Sequence, residues 1–71
     1  METLNALVVK TKECQLTENL LNKFRISLND WDRTKKFEYK GHELVVYNVI
    51  CDEETYKTIK NLIKESRKVE S

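Results

Sequence analysis

Five cations on one stretch carry the clearest pattern of charge. Lys57, Lys60, Lys64, Arg67 and Lys68 share an arc of about 100° when wound at 3.6 residues per turn. A basic stripe of this kind can follow the phosphates of RNA or DNA. Its plainer reading is a solvated helix face, with Glu53 on the same arc and paired to Lys57 one turn on. The thiols are Cys14 and Cys51. Cys51 stands just before an expected helix, where the helix dipole favours a thiolate. Asp52, Glu53 and Glu54 crowd the same spot with negative charge and oppose it. A small buried side chain at a strand end is the simpler role. Cys14 has no evident chemistry. His42, the one histidine, falls beside a turn and reads as solvent-exposed. No spacing of Cys, His, Asp and Glu matches a metal site. A single glycine, Gly41, cannot build a phosphate-cradling loop. Two layers made from so short a chain leave little room for a substrate pocket. Neither an enzyme nor a cofactor is expected, and no small-molecule substrate.

The chain that must position these groups has 71 residues, read as one domain over 1–71. Hydrophobic residues make up 39% and charged residues 35%, with a net charge of +1. That composition folds, and its balance leaves any polyanion site to local charge placement. Residues 1–5 show no basic patch leading into an apolar run, and no stretch approaches a membrane span. A cytoplasmic protein with free thiols is the expectation.

The organising stretch is Glu43–Ile50, rich in β-branched and aromatic residues and apolar at nearly every position. Such a strand is expected at the centre of a sheet, covered on both faces. Leu4–Lys12 reads as a first strand, with Leu4, Ala6 and Val8 on one face and Leu7 and Val9 on the other. Thr17 is a plausible helix N-cap with Glu18 in the first turn. Leu20, Leu21, Phe24, Leu28 and Trp31 then make one helical stripe that ends around Asn29–Asp32, and Ile26 points away from it. Lys35–Lys40 alternates as an edge strand with Phe37 and Tyr39 on one face. Gly41 marks a hairpin, whose two-residue registers put Phe37 and Tyr39 with Leu44 and Val46. Asp52 caps a second helix with Tyr56, Ile59, Leu62 and Ile63 as its apolar stripe.

These elements predict an α+β two-layer sandwich in the order β-α-β-β-α. Its three-stranded mixed sheet has the order 1-3-2, with strand one parallel to strand three through a right-handed crossover. Both helices lie on one face. The other face then carries Val45, Tyr47 and Val49, plus either Leu7 and Val9 or Ala6 and Val8. Burying such side chains contributes roughly 1.5–3 kcal/mol each, so an uncovered apolar face calls for a lid. The expected function is a small non-enzymatic interaction module, an inhibitor, adaptor or regulator. It would bind a protein partner or itself, as a homodimer, through Val45, Tyr47 and Val49, with Ile26 as a second anchor. The plainer readings are an exposed isoleucine of no consequence and a face covered by the chain's own tail. The alternative function is RNA or DNA binding by Lys57, Lys60, Lys64, Arg67 and Lys68.

Two resemblances bear on that alternative. Lys40-Gly41-His42-Glu43-Leu44-Val45-Val46-Tyr47 resembles the RNP1 strand of RNA-recognition motifs at Lys40, Gly41, Val45 and Tyr47. His42 and Leu44 stand where that family presents stacking rings, and its fourth strand is missing. Leu16–Leu20 through Trp31, with Glu54–Ile59 through Arg67, is similar to the two helices of ribosome hibernation factors. That likeness implies ribosomal RNA contact through Lys57, Lys60, Lys64 and Arg67. The segment between the helices is shorter than that family's sheet requires.

Overall fold

Strand β3 (His42–Asp52) is the middle of a three-stranded sheet in which β1 (Glu2–Lys10) and β2 (Trp31–Tyr39) are its two neighbours. The structure, a computed structural model, describes residues 1–70, with side chains through residue 69. A 3₁₀ turn (Thr11–Glu13) leads from β1 into α1 (Cys14–Lys23), and α2 (Glu53–Glu70) follows β3 directly. The element order, the sheet order and the α+β class are those expected from the sequence.

The sheet is antiparallel throughout, not mixed. The crossover through α1 joins β1 to β2, not to β3. Those two strands run in the same direction on opposite sides of β3, and the tight hairpin turns β3 back against β2. β1 must therefore oppose β3. At the hairpin, Lys40 (φ 50°) and Gly41 (φ 79°) are both left-handed. This is the two-residue turn whose twist matches that of the flanking strands. The register pairs Phe37 with Leu44 and Tyr39 with His42, so the rings do share a face with Leu44 and Val46. β2 begins earlier than expected and slips register between Arg33 and Lys36. There the Thr34 hydroxyl donates to the Val46 carbonyl at 2.8 Å, making up for lost pairing at the bulge.

Helix α1 begins and ends earlier than its stripe suggested. Thr17 is not its cap but a buried interior residue whose hydroxyl donates to the Glu13 carbonyl at 2.8 Å. The start is fixed instead by Glu13, whose carboxylate accepts the Lys10 amide at 2.8 Å. The stop is a Schellman turn: the Ile26 amide donates to the Leu21 carbonyl at 2.9 Å and the Arg25 amide to Asn22 at 3.0 Å. Arg25 takes the left-handed conformation (φ 59°) that this motif needs after the cap. Leu28 is thereby left in the connection, exposed, and Trp31 opens β2.

The core lies between the sheet and the two helices. Leu7, Val9, Val45, Tyr47 and Val49 meet Leu20 and Leu21 of α1 and Ile59 and Ile63 of α2. α2 lies against β1 and β3, and α1 against β1 and α2. In β2 the residues on this side are Trp31, Arg33 and Lys36; of these Trp31 is the hydrophobic one, and it packs against the core.

Candidate interaction surface

Cross-strand partners share a face in an antiparallel sheet, so the register sorts every strand residue. The rows Leu7–Tyr47, Val9–Val45 and Asn5–Val49 belong to one face, and these rows supply the sheet's share of the core. Val45, Tyr47 and Val49, expected on the open side, are therefore closed off beneath the chain's own helices, with essentially no exposure. They cannot meet a partner. Period-two alternation separates two faces without saying which one the helices take, and both rows of β3 are apolar. The signal that distinguishes them is Asn48. Positions 45, 47, 49 and 51 run Val, Tyr, Val, Cys without interruption, whereas the other row has an amide in its middle. An uncovered row tolerates that group at no desolvation cost.

The covered face carries two polar clamps. The Tyr47 hydroxyl donates to Glu18 Oε2 at 2.6 Å, and Arg33 Nη1 approaches the same oxygen at 3.3 Å. The Tyr47 ring lies 5.7 Å from that of Trp31. Burial, and then the Cys14 and Glu18 side chains beside it, push the Tyr47 hydroxyl's pKa well above its usual value. It is a fixed donor that ties α1 to β3. At the other clamp, the Glu13 side chain is only 5% exposed. It accepts Arg67 Nε at 2.7 Å and Nη2 at 2.9 Å besides the Lys10 amide. Burial works against its charge, but the Arg67 guanidinium and the Lys10 amide outweigh that and hold its pKa below the ordinary carboxylate value.

The basic stripe of α2 is thus partly committed inside the chain. Arg67 fastens the end of α2 to the start of α1. Lys57 pairs with Glu53 at 3.3 Å, and Lys68 lies 3.3 Å from Glu65. Lys60 sits over the Tyr56 ring at 5.9 Å, and Lys64 is exposed. Cys51 is a buried strand residue, and burial, chiefly, raises its thiol pKa; both cysteines are free thiols. His42 is exposed at the hairpin.

Ile26 does not stand away from the core as expected. As the residue after the left-handed Arg25, it folds back and packs against the buried cluster, half-covered. It contributes one wall of an open groove of about 540 Å³ shared with Trp31, Leu28 and Glu18.

The open face carries the rows Leu4–Ile50, Ala6–Asn48 and Val8–Val46 from β1 and β3. Leu44, with Phe37 and Tyr39 across the hairpin, extends it onto β2. Leu4 is 71% exposed, Tyr39 56%, Val8 47%, Phe37 43% and Ile50 40%. The patch runs across all three strands and both hairpin arms. Sequence reasoning foresaw an uncovered apolar face but assigned it the wrong row of residues. His42 and Leu44, at the two RNP1-like ring positions, do lie on this face. Among the described residues, no helix is long and apolar enough to cross a membrane.

No protein-family model matches the chain, and neither a curated protein nor a solved structure is significantly similar to it. The two resemblances noted in the sequence rest on their quoted residues alone.

Proposed function

We propose that this chain is a small non-enzymatic interaction module, an inhibitor, adaptor or regulator that works by docking a protein on its open sheet face. One observation carries the reading. Leu4, Val8, Phe37, Tyr39 and Ile50 stand in water beside Ala6, Leu44 and Val46 on a single face. Scattered apolar side chains on a surface are ordinary, but apolar groups gathered on one sheet face, on either side of the Ala6–Asn48–Asp32 row, mark a contact site. Each large side chain that a partner fully covers is worth roughly 1.5–3 kcal/mol, a sizeable gain for a domain of modest stability. Two free thiols accord with a cytoplasmic setting. The alternative, polyanion binding along α2, draws less support because Arg67 and Lys57 already hold Glu13 and Glu53.

A photoreactive phenylalanine analogue at position 37 tests the reading against the same probe at Lys64. The expected result is a saturable protein adduct, to a partner or to a second copy, from position 37 alone. It disappears when Val46→Asp is added. Adducts to nucleic acid from the α2 probe, with none from position 37, would overturn it.

A further inference from the structure

The two margins of the sheet, β1 and β2, are finished differently. The register and the hairpin fix which backbone groups face outward. Across a two-residue hairpin the flanking pair, Tyr39–His42, exchanges both backbone bonds, and so does Phe37–Leu44 two residues on. Lys36 and Glu38 therefore turn their amides and carbonyls away from β3. Bonds alternate sides along β3, so Val45 and Tyr47 bond to β1, and there Ala6, Val8 and Lys10 turn outward. Two side chains agree with this parity and close the β1 margin. The Tyr56 hydroxyl donates to the Ala6 carbonyl at 2.8 Å, and Glu13 accepts the Lys10 amide at 2.8 Å. A strand laid along β1 would have to displace both. At the β2 margin, among the described residues, nothing bonds the outward groups of Lys36 and Glu38. Residues 35–39 are all exposed.

An unpaired margin of this kind takes an extended segment as a further strand. The charge along it selects the segment. Between positions 33 and 40, Arg33, Lys35, Lys36 and Lys40 stand against the single carboxylate of Glu38. Lys35 and Lys36 hold no ion pair among the described residues. Lysines on an edge guard it by facing an incoming strand with unmatched charge. That guard turns away neutral and basic strands, and a second copy's β2 with them, because two such margins set side by side put cations against cations. A strand bearing carboxylates meets the opposite balance, each facing pair favouring the contact. We propose that the β2 margin, from Lys36 to Tyr39, is a strand-addition site for an extended acidic segment of a partner protein. The bulge between Arg33 and Lys36 bends the margin. The straight stretch is therefore short, and the association is weak and reversible. It uses backbone groups that the open face does not contain, so it stands independently of docking on that face.

A peptide as long as β2 that alternates glutamate with threonine tests this on the intact chain, read by amide hydrogen exchange. A lysine–threonine peptide is the control. With the acidic peptide bound, the Lys36 and Glu38 amides are expected to gain protection of about tenfold or more, and the Ala6 and Val8 amides none. The lysine peptide is expected to protect neither margin. Glu38→Pro removes an outward amide and spares the β3 ladder, at a place where an edge strand accepts proline. It also deletes a carboxylate, which by charge alone would tighten the acidic peptide. Loss of binding in Glu38→Pro, with the helical circular dichroism retained, is the signature of backbone pairing. Lys35→Glu/Lys36→Glu leaves the backbone whole. It is expected to weaken the acidic peptide about tenfold or more and to admit the lysine peptide. If Glu38→Pro does not fold, this second variant and the exchange pattern decide.

No protection at any soluble concentration of the acidic peptide overturns the proposal. So do protection that falls on β1, equal binding of the lysine peptide, and binding retained in a folded Glu38→Pro. Protection of Lys36 and Glu38 that rises with chain concentration alone makes the occupant a second copy and overturns the acidic partner. Labelling from the position-37 probe without protection at this margin removes the strand-addition site and leaves the open-face reading standing. Protection without labelling does the reverse.

Discussion

The two faces of the sheet are nearly equal in apolar content and opposite in fate. One carries Leu7, Val9, Val45, Tyr47 and Val49 and is sealed by α1 and α2. The other carries Leu4, Val8, Leu44, Val46 and Ile50, with Phe37 and Tyr39, and faces water. The quantity of hydrophobic surface does not decide between them. Continuity does, together with polar groups placed to fix the helices at the margin. The covered row of β3 has no polar break. Around it, Glu18 receives the Tyr47 hydroxyl and Glu13 receives Arg67. The open row is broken by Asn48, and on β2 its two rings lie on the side that no helix covers. The lesson is that a central strand apolar on both faces identifies a sheet with two greasy sides. It leaves open which side the chain itself closes.

The sharpest way to break this comparison uses neighbours in sequence. Tyr47→Asp is expected to abolish cooperative unfolding and the helical signal, because it places a carboxylate in the core and empties the space of a buried ring. Truncating such a residue alone costs about 3–5 kcal/mol, near the whole stability of a small domain. A folded, helical Tyr47→Asp would mean the covered face is misassigned. A smaller effect comes from the margin. Glu13→Gln removes the charge that holds Arg67, and is expected to lower stability by about 1.5–3 kcal/mol in chemical denaturation, the range for hydrogen bonds to charged groups. Partial exposure of Arg67 favours the lower figure.

The same group sets a pH signature. The folded-state pKa of Glu13 is depressed from 4.5, so its contribution is fully present above the unfolded value. It is lost as the pH falls through the folded value. Unfolding midpoints are expected to decline below about pH 4.5, and Glu13→Gln is expected to flatten that decline. An identical acid limb in the variant would show that the clamp carries no linkage. The smallest effect belongs to the open face. Val46→Asp is expected to change stability by no more than about 1 kcal/mol, the span of strand propensities. Its consequences should appear in association, not in folding. A loss comparable to that of Tyr47→Asp would erase the distinction between the faces.

Much of the architecture was legible in residue types and spacing. The run from Glu43 to Ile50 announced a central strand, Gly41 a hairpin, and the step from Cys51 to Glu54 a helix start. The alternation in β1 separated Leu7 and Val9 from Leu4, Ala6 and Val8 correctly. These features are local, set by propensity and by period. Helix α1 was less legible because Leu28 and Trp31 happen to continue its period. The stop is a left-handed arginine, a residue type that gives no warning of that backbone conformation. Ile26, taken for a projecting anchor, is the residue that the stop folds inward.

What only the tertiary structure decided is direction and sidedness. Whether β1 runs with or against β3 depends on which strand receives the crossover. Which row of β3 is buried depends on where α1 and α2 can be fastened, and the fasteners are distant in sequence. Glu18 meets Tyr47 and Glu13 meets Arg67 across 29 and 54 positions. The amino-acid pattern by itself determined that this chain builds a two-sided apolar sheet with helices enough for one side. Alternation is symmetric between faces, so long-range side-chain pairs had to choose which side remained free.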